Sequence, residues 1–570
     1  MSDAPRHDRS NLQELQDASM RLANDLLANL PRAHVILDAF LLALAAQPQR
    51  VAEVNARHYS VRLAQWSRLL HRDSEGPPAA PGTDRRFSAD EWGTQPFFRF
   101  LRDSYEEDVR WIGELVDVLQ LPPQVAKRVR FLVKQFVAAL APTNQFAANP
   151  DAIRRAYATQ GASIRAGLDR LRHDIERGSI SMSDESAFEV GRNLASTPGA
   201  VVFQNEVLQL IEYAPLTARV HARPLLIVPP FINKYYILDL QAHNSFVRFA
   251  LERGLRVFMI SWRSAGEALR EATWDDYVRE GVERAIEVTL AIARTRRLNA
   301  LGFCVGGTLL ASTLAATDAA KRVANLTLLA CLLDFSDVGE IGVFIDEHYV
   351  ADCEREFAHG GVMPGARIAW AFASLRPDEL VWYFVVNNYL KGQVPAAFDL
   401  LYWNADSANV PGRLFAWYLR HMYQDNRLRV PGAVSICGRS ADLGRLCMPT
   451  FVLATRDDHI VPWSAAWASA RLLAGTIEFV LGASGHVAGV VAPPCAARGY
   501  WRGPALGEDA GAWASSARHC EGSWWEHWAD WIVARSGTLR RAPDRPGSDA
   551  YPVIEAAPGR YVRERAGPVR

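Results

Sequence analysis

The sequence predicts an α/β fold in which a largely parallel β-sheet follows a helical region and carries an inserted cap. From about residue 198 onward, short β-rich apolar runs such as PLLIVPPF, RVFMISW and LNALGF alternate with helical segments, which is typical of a parallel α/β sheet. Before that point, apolar residues recur every three or four positions, which indicates amphipathic helices. A chain of 570 residues is long enough for two or three such units.

These changes in pattern set the expected domain boundaries. Residues 1–75 are predicted to be an N-terminal extension, helical or partly disordered, and the Pro- and Gly-rich stretch RDSEGPPAAPGTDRRF lies at its end. We expect a helical domain over 76–197 and the α/β domain over 198–570. A further sheet strand, TFVLATR, begins only at Thr450, so the aromatic-rich insertion at about 335–447 is predicted to cap the carboxyl edge of the sheet, where open α/β folds bind ligands.

Composition argues against several classes of protein. The chain has 63 basic and 63 acidic residues, so no nucleic-acid partner is expected. Its seven cysteines form no C-x-x-C pair, which argues against a disulfide framework. The apolar runs are too short to cross a bilayer, and the polar N-terminus lacks a signal-peptide pattern. We expect a cytoplasmic protein without a transmembrane segment, a metal or a cofactor.

The stretch LNALGFCVGGTLL has the pattern Gly-x-nucleophile-x-Gly, with Cys304 at the nucleophile position. An apolar strand precedes Cys304 and a helix pattern follows it, as in the nucleophile elbow of the α/β-hydrolase fold. Gly302 and Gly306 fit the crowded backbone of such a turn. The start of a helix favours a thiolate, whereas a buried structural cysteine is the alternative. The prediction is therefore an α/β-hydrolase fold with a cap insertion and a helical N-terminal domain.

The acid and the histidine of this fold follow the nucleophile along the chain. TFVLATRDDHIVPW supplies Asp458 just after a strand, with Asp457 as the nearest competitor. IEFVLGASGHVAGVV supplies His486 after the next strand, with His459 as the competitor. We predict that Cys304, Asp458 and His486 form a catalytic triad, in which His486 takes the thiol proton and Asp458 orients the imidazole.

A tetrahedral oxyanion formed at this thiol needs two hydrogen-bond donors. The first predicted donor is the backbone N–H of Val305, directly after the nucleophile. The second is expected from the loop after LLIVPP, at Phe231 or Ile232.

With these residues in place, the sequence resembles the polyhydroxyalkanoate synthases, and more narrowly their class I type. The motifs GFCVGGT, PPFINKYYILDL, FDLLYWNAD, DDHIVPW, GASGHVAGVVAPP and SWWEHWADW carry the resemblance, which spans about residues 84–568. It implies an enzyme that polymerises (R)-3-hydroxyacyl-CoA, such as 3-hydroxybutyryl-CoA, into a polyester through a Cys304 thioester, with release of CoA. Phe231 departs from the family, which often has a cysteine there, so the substrate channel or the chain-length preference is in question.

The resemblance carries further expectations about contacts and partners. Substrate contacts are predicted at Asn233, Tyr235, Trp403 and His459, which lie in the quoted motifs. The growing polyester chain, a second copy of the chain in a homodimer and phasin-type granule proteins are the expected partners. The protein is expected on polyhydroxyalkanoate granules in the cytoplasm.

Two rival functions use the same scaffold. A polyester depolymerase or acyl-CoA thioesterase would share the triad and differ only in using water as the acceptor. A non-catalytic granule-coat protein would not need the thiol. The long cap and the breadth of the motifs favour synthesis.

Overall fold

The computed structural model describes residues 33–70, 84–496 and 498–566. The chain forms two compact units, of which the first is Met1–Asp184 with Ala373–Ala396 and the second is Glu185–Phe372 with Ala397–Arg570. Much of the predicted extension lies outside the described residues, and the predicted domain boundaries stay predictions. In the part that the structure describes, no helix is both long and apolar enough to cross a membrane.

The described part of the first unit is helical. Proline stands at the first position of four of its helices, where the fixed φ suits the helix and the missing N–H costs nothing. The helices are Ala33–Ala46, Pro48–Leu70, Glu91–Thr94, Pro96–Val118, Pro123–Leu140, Pro150–Ala158 and Ala162–Arg177.

The first unit also contains part of the insertion that the sequence places in the cap. The segment Ala373–Ala396 packs with the N-terminal helices. The ammonium group of Lys134 donates to the carbonyl of Leu375 at 2.8 Å, and the hydroxyl of Tyr389 donates to the carboxylate of Asp174 at 2.6 Å. Helical periodicity alone could not have indicated this grouping.

The second unit is built on one mixed sheet. The described strands of this unit are β1 Gly199–Gln204, β2 Leu208–Tyr213, β3 Arg219–His221, β4 Leu225–Val228, β5 Val257–Trp262, β6 Leu298–Phe303, β7 Val323–Leu329, β8 Val362–Met363, β9 Val410–Pro411, β10 Ser435–Ile436, β11 Arg439–Ser440, β12 Thr450–Thr455, β13 Ile477–Gly482, β14 Tyr500–Arg502, β15 Arg518–Cys520, β16 Leu539–Arg541 and β17 Glu555–Ala556. Eleven of them form the main sheet, in the order β15-β14-β13-β12-β7-β6-β4-β5-β2-β1-β17. The central strands β13, β12, β7, β6, β4 and β5 are parallel, and the strands at both edges are antiparallel.

Helices cover both faces of this sheet. In β4, Leu226 and Val228 join one buried apolar cluster, whereas Leu225 and Ile227 join the other, because successive strand residues point to opposite faces. The helices of this unit are Phe246–Glu252, Trp274–Asp276, Arg284–Ala293, Val305–Ala316, Glu347–Glu356, Gly365–Ser374, Asp399–Ala405, Gly412–Tyr418, Trp463–Ala470, His486–Val490, Ala510–Ser516 and Trp524–Val533, with π-helical turns at Tyr277–Glu283 and Leu419–Gln424.

A buried carboxyl group lies at Asp239, directly after the helical turn Tyr235–Leu238. Its Oδ1 accepts hydrogen bonds from the hydroxyls of Thr197 at 2.5 Å and Ser245 at 2.6 Å. Burial raises the pKa of Asp239 to about 6, although these hydroxyls and that of Tyr213 oppose the shift. The ionised form is therefore disfavoured in the folded protein.

Asp239→Asn is expected to raise the Tm more at neutral pH than at acid pH. The pKa in the folded protein exceeds the unfolded value of about 3.9, so the group stabilises the fold below that value and this stabilisation is lost as the pH rises through about 6. The difference is at most about 3 kcal/mol, since one pKa unit corresponds to about 1.4 kcal/mol. Thermal unfolding of both proteins between about pH 4 and pH 8 measures it. Asp549→Asn is the control, because it removes a carboxyl group at an exposed site; a Tm difference with the same pH trend there would contradict burial as the cause.

Candidate active site

Cys304 lies at a sharp turn between β6 and the helix Val305–Ala316. Its backbone is at φ 52° and ψ −131°, a strained conformation for a residue with a side chain. A Cβ atom on Gly306 would lie 2.4 Å from the carbonyl oxygen of Pro229, and one on Gly302 would lie 2.4 Å from the Cα of Gly307. The glycines of the motif are therefore required by close backbone packing, and the turn presents Cys304 at the carboxyl edge of the sheet.

The predicted acid and base lie together, after neighbouring strands β12 and β13. The Nδ1 atom of His486 is 2.8 Å from Oδ2 of Asp458, and both side chains are buried. The same Oδ2 accepts a hydrogen bond from the hydroxyl of Thr455 at 2.8 Å. Oδ1 accepts from the backbone N–H groups of Ile460 at 2.9 Å and Val461 at 2.8 Å. Contacts with four residues therefore fix the position of the Asp458 carboxylate.

The electrostatics of the pair follow from these contacts. Burial raises the pKa of Asp458, but His486 and the two backbone N–H groups outweigh it and hold that pKa below its usual value. Burial lowers the pKa of His486, yet the negative charges of the Asp458 carboxylate and of an ionised Cys304 sulfur raise it well above its usual value. The ring of Phe303 stacks on His486 with centroids 5.6 Å apart. The pair thus favours an ionised carboxylate beside an imidazole that readily holds a proton.

The competing residues of the sequence lie differently. The side chain of Asp457 is 58% exposed and pairs with Arg456 at 3.4 Å. The backbone carbonyl of His459 accepts a hydrogen bond from the N–H of Glu340 at 3.3 Å. Of the two candidate carboxylates, Asp458 is the one that contacts the imidazole of His486.

The predicted oxyanion donors are available for a ligand. Within the described residues, no backbone carbonyl accepts a hydrogen bond from the N–H of Val305, Phe231 or Ile232. Val305 begins its helix, and the first N–H groups of a helix have no partner within it. Phe231 and Ile232 follow β4, the strand next to β6. Their assignment as oxyanion donors stays a prediction.

A mostly apolar cavity of about 110 Å³ adjoins Cys304. The loop after β4, the nucleophile turn, the loop after β12 and the insertion between β7 and β12 contribute its lining. The lining residues are Phe231, Ile232, Cys304, Val305, Thr308, Leu332, Ile341, Phe344, Ile345, Tyr349, Met363, Arg367, Ile368, Ala371, Phe372, Phe415, Tyr418, Leu419, Tyr423, Ile460 and Val461.

Two lining tyrosines were not predicted from the sequence. The rings of Tyr418 and Tyr423 meet edge to face, with centroids 5.3 Å apart. Burial raises the pKa of both phenols, and the Cys304 thiol contributes to both shifts, so both hydroxyls stay protonated near the nucleophile. The aromatic stretch LFAWYLRHMY was the only signal for them, because a sequence does not show which face of a cap helix meets the cavity.

The predicted substrate contacts lie outside this cavity. Asn233, Tyr235, Trp403 and His459 are not among the described lining residues. The ring of Tyr235 is buried in the core, and Trp403 donates its indole N–H to the backbone carbonyl of Lys234 at 2.7 Å. Their role in substrate binding stays a prediction.

Gly306→Ala is expected to reduce turnover by at least about 100-fold, a loss comparable to that of one oxyanion donor. The new Cβ would press on the carbonyl oxygens of Val228 and Pro229, at 2.5 and 2.4 Å, and would push the nucleophile turn away from the loop after β4. Initial rates and thermal unfolding measure the effect. Gly113→Ala is the matched control, since a Cβ there meets nothing within 4 Å. Wild-type turnover in Gly306→Ala would contradict this account of the turn.

Comparisons with known proteins agree with this architecture. The family model described as poly-beta-hydroxybutyrate polymerase (PhaC) N-terminus matches residues 83–250, and that of the alpha/beta hydrolase fold matches residues 224–493. The predicted α/β-hydrolase fold with a helical N-terminal region is confirmed.

Curated relatives match over most of the chain. The poly(3-hydroxyalkanoate) polymerase subunit PhaC of Cupriavidus necator is 45% identical over 93% of this chain and 91% of its own. The subunit of the same name from Rhizobium meliloti is 38% identical over 91% and 87% of the two chains. Poly(3-hydroxyalkanoate) polymerase 2 of Ectopseudomonas oleovorans is 40% identical over 90% and 91%. The resemblance seen in the sequence is confirmed, and the chain belongs to the poly(3-hydroxyalkanoate) polymerases, acyl-transferring enzymes with an α/β-hydrolase domain.

Proposed function

We propose that this protein polymerises short-chain (R)-3-hydroxyacyl-CoA into polyhydroxyalkanoate, with release of CoA, through a thioester on Cys304. The observation that carries the proposal is the position of Cys304, which lies on a strained turn, interacts with His486 of the buried Asp458–His486 pair and lines an apolar cavity. Membership of the polymerase family supports the reaction class.

In the first step Cys304 is acylated. His486 takes the thiol proton, and the sulfur attacks the carbonyl carbon of the acyl-CoA thioester. The N–H of Val305 and that of Phe231 or Ile232 stabilise the oxyanion. As the carbonyl re-forms, the bond to the CoA sulfur breaks and His486 returns the proton to that sulfur. Asp458 stabilises the imidazolium throughout.

In the second step the chain passes to the hydroxyl of the next monomer. The 3-hydroxyl oxygen of a new acyl-CoA attacks the thioester on Cys304, its proton goes to His486, and an ester bond forms while Cys304 leaves as a thiolate. Cys304 then attacks the CoA thioester of the extended chain, which releases CoA and returns the chain to the enzyme. A thiol serves here because the thioester on Cys304 keeps the acyl group activated, whereas an oxygen ester would be a poorer donor.

The cavity supports polymerisation over hydrolysis. Its lining is mostly aliphatic and aromatic, with rings such as Phe344, Phe372 and Phe415 from the insertion, and such a lining disfavours water at the thioester. The hydroxyl of Thr308 donates to the carbonyl of Leu332 at 2.8 Å and is therefore occupied. A short side chain on the monomer is proposed because bulky rings surround the space beside Cys304.

We also propose that the protein acts in the cytoplasm on the surface of polyhydroxyalkanoate granules. Two neighbouring helices of the first unit expose large apolar side chains, including Leu42 at 72%, Leu63 at 70% and Leu70 at 73%. Where large apolar side chains are exposed together, they are typical of interaction surfaces. Homodimerisation and binding of phasin-type proteins stay predictions.

Purified protein with (R)-3-hydroxybutyryl-CoA tests the proposal. Release of free CoA thiol together with rising turbidity is expected, because the polyester is insoluble. Release in a clear solution would mean a thioesterase or depolymerase, and no release would favour a non-catalytic granule-coat protein. A series of longer 3-hydroxyacyl-CoA substrates measures the chain-length preference, and equal turnover across the series would contradict the short-chain proposal.

A further inference from the structure

Two buried indoles hold the loop that follows β4. The Nε1–H of Trp262 donates to the carbonyl oxygen of Pro229 at 2.8 Å. The Nε1–H of Trp403 donates to the carbonyl oxygen of Lys234 at 2.7 Å. These two acceptors lie on either side of the candidate oxyanion donors, so the loop is fixed at both of its ends.

The indole of Trp262 is itself held in place. Trp262 is the last residue of β5, and its ring stacks on that of Tyr277, with centroids 5.1 Å apart. A Cβ atom on Gly281 would lie 2.9 Å from this ring, so the absence of a side chain at Gly281 leaves the space that the indole fills. Trp262 therefore cannot turn its N–H away from Pro229 without disturbing the core.

The indole of Trp403 is anchored through its own helix, Asp399–Ala405. The carboxylate of Asp399 accepts from the amide of Asn244 at 2.8 Å. Directly after the helix, the carboxylate of Asp406 accepts from the hydroxyl of Tyr236 at 2.8 Å. The motif FDLLYWNAD, which lies within the insertion, is thus hydrogen-bonded to the segment that follows β4.

The position of the loop after β4 matters because its N–H groups are the candidate oxyanion donors. Pro230 has no N–H, so Phe231 is the first residue after Pro229 that can donate to an oxyanion. A donor contributes to catalysis only if it already points at the position of the oxyanion before reaction. A peptide group that rotated between the two fixed carbonyls would turn its N–H away and remove the donor.

We propose that Trp262 and Trp403 are positioning residues for acyl transfer, which hold the loop after β4 so that the N–H of Phe231 or Ile232 faces the carbonyl attacked by Cys304. This inference rests on the proposed function. It adds an explanation of how the second oxyanion donor is held in position before the reaction. It also gives Trp403 a role that does not require contact with the substrate.

Trp262→Phe and Trp403→Phe test the inference, because phenylalanine keeps an aromatic ring and removes the donor. Each variant is expected to lower kcat for (R)-3-hydroxybutyryl-CoA by at least about tenfold with KM little changed, a part of the ~100- to 1000-fold loss that follows removal of a whole oxyanion donor. The double variant is expected to lose less than the product of the two single losses, since both act on one loop.

Trp528→Phe is the matched control. Trp528 is also buried, and its Nε1–H donates to the hydroxyl of Thr327 on β7, at 3.1 Å. This variant is expected to lower the Tm as much as the test variants while retaining wild-type kcat. If Trp262→Phe and Trp403→Phe also retain wild-type kcat, or if all three variants lose kcat equally, the positioning role is overturned.

Alkylation of Cys304 by iodoacetamide distinguishes a loss of oxyanion stabilisation from damage to the nucleophile itself. This displacement forms no oxyanion, so its rate at Cys304, followed by peptide mass spectrometry, is expected to equal that of wild type in both variants. Acylation of Cys304 by substrate is expected to slow at least about tenfold. Slowed alkylation would mean that the substitutions damage the nucleophile, which would overturn the inference. Failure of the wild-type protein to release CoA would instead overturn the proposed function.

Discussion

Cys304→Ala is expected to abolish release of CoA, with a fall in turnover of at least about 10⁴-fold, as is usual when a nucleophile that forms a covalent intermediate is removed. The alanine keeps the turn but offers no atom to attack the acyl-CoA. Neither polymer nor hydrolysis product should then form. Free thiol released per minute and turbidity measure both outcomes, and a non-catalytic coat protein would show no difference between the two proteins.

Cys304→Ser sharpens this test, because it keeps a nucleophile and changes only the acyl bond. We expect slow acylation of the serine and almost no onward transfer, since an oxygen ester is a poorer donor than a thioester. Intact-protein mass spectrometry should show the acylated enzyme accumulating without turbidity. The exposed Cys447 is the control, and Cys447→Ser is expected to retain full activity. Polymer formation by Cys304→Ser at the wild-type rate would contradict the thioester mechanism.

The sequence predicted those parts of the molecule that depend on local pattern. The strands β4, β6, β12 and β13 appear as short apolar runs, and parallel pairing brings their carboxyl ends to one edge of the sheet. The order Cys304, Asp458, His486 follows from that arrangement. The backbone packs so closely at the turn that a Cβ at Gly306 is excluded. The turn therefore requires glycine, and this requirement is visible in the sequence as the glycine motif.

Features that depend on distant packing could not be read in the same way. Tyr418 and Tyr423 line the cavity because the insertion packs against the nucleophile turn. A helical pattern in the sequence does not show which side chains of the insertion meet the cavity. Tyr235 lies within a polar-looking motif, yet its ring is buried in the core. Trp403 belongs to a family motif, and only the structure shows that its indole holds the carbonyl of Lys234.

Asp458→Asn is expected to lower kcat by roughly 10³- to 10⁴-fold, as when the acid of a triad is replaced by its amide. The backbone N–H groups of Ile460 and Val461 would hold the amide oxygen where they now hold Oδ1. The amide nitrogen would then face Nδ1 of His486 and donate to it. The ring proton would move to Nε2, so His486 could no longer accept the thiol proton.

The same substitution removes the charge that keeps the pKa of His486 well above its usual value, so the imidazolium formed during each step loses its stabilisation. The pH dependence of CoA release, measured between about pH 6 and pH 10, is therefore expected to differ between this variant and the wild-type protein. Asp457→Asn is the matched control, because its side chain is exposed and lies one residue away, and it is expected to keep wild-type kcat. Because Nδ1 of His486 contacts the carboxylate of Asp458 at 2.8 Å, equal losses in the two variants would contradict this assignment of the acid.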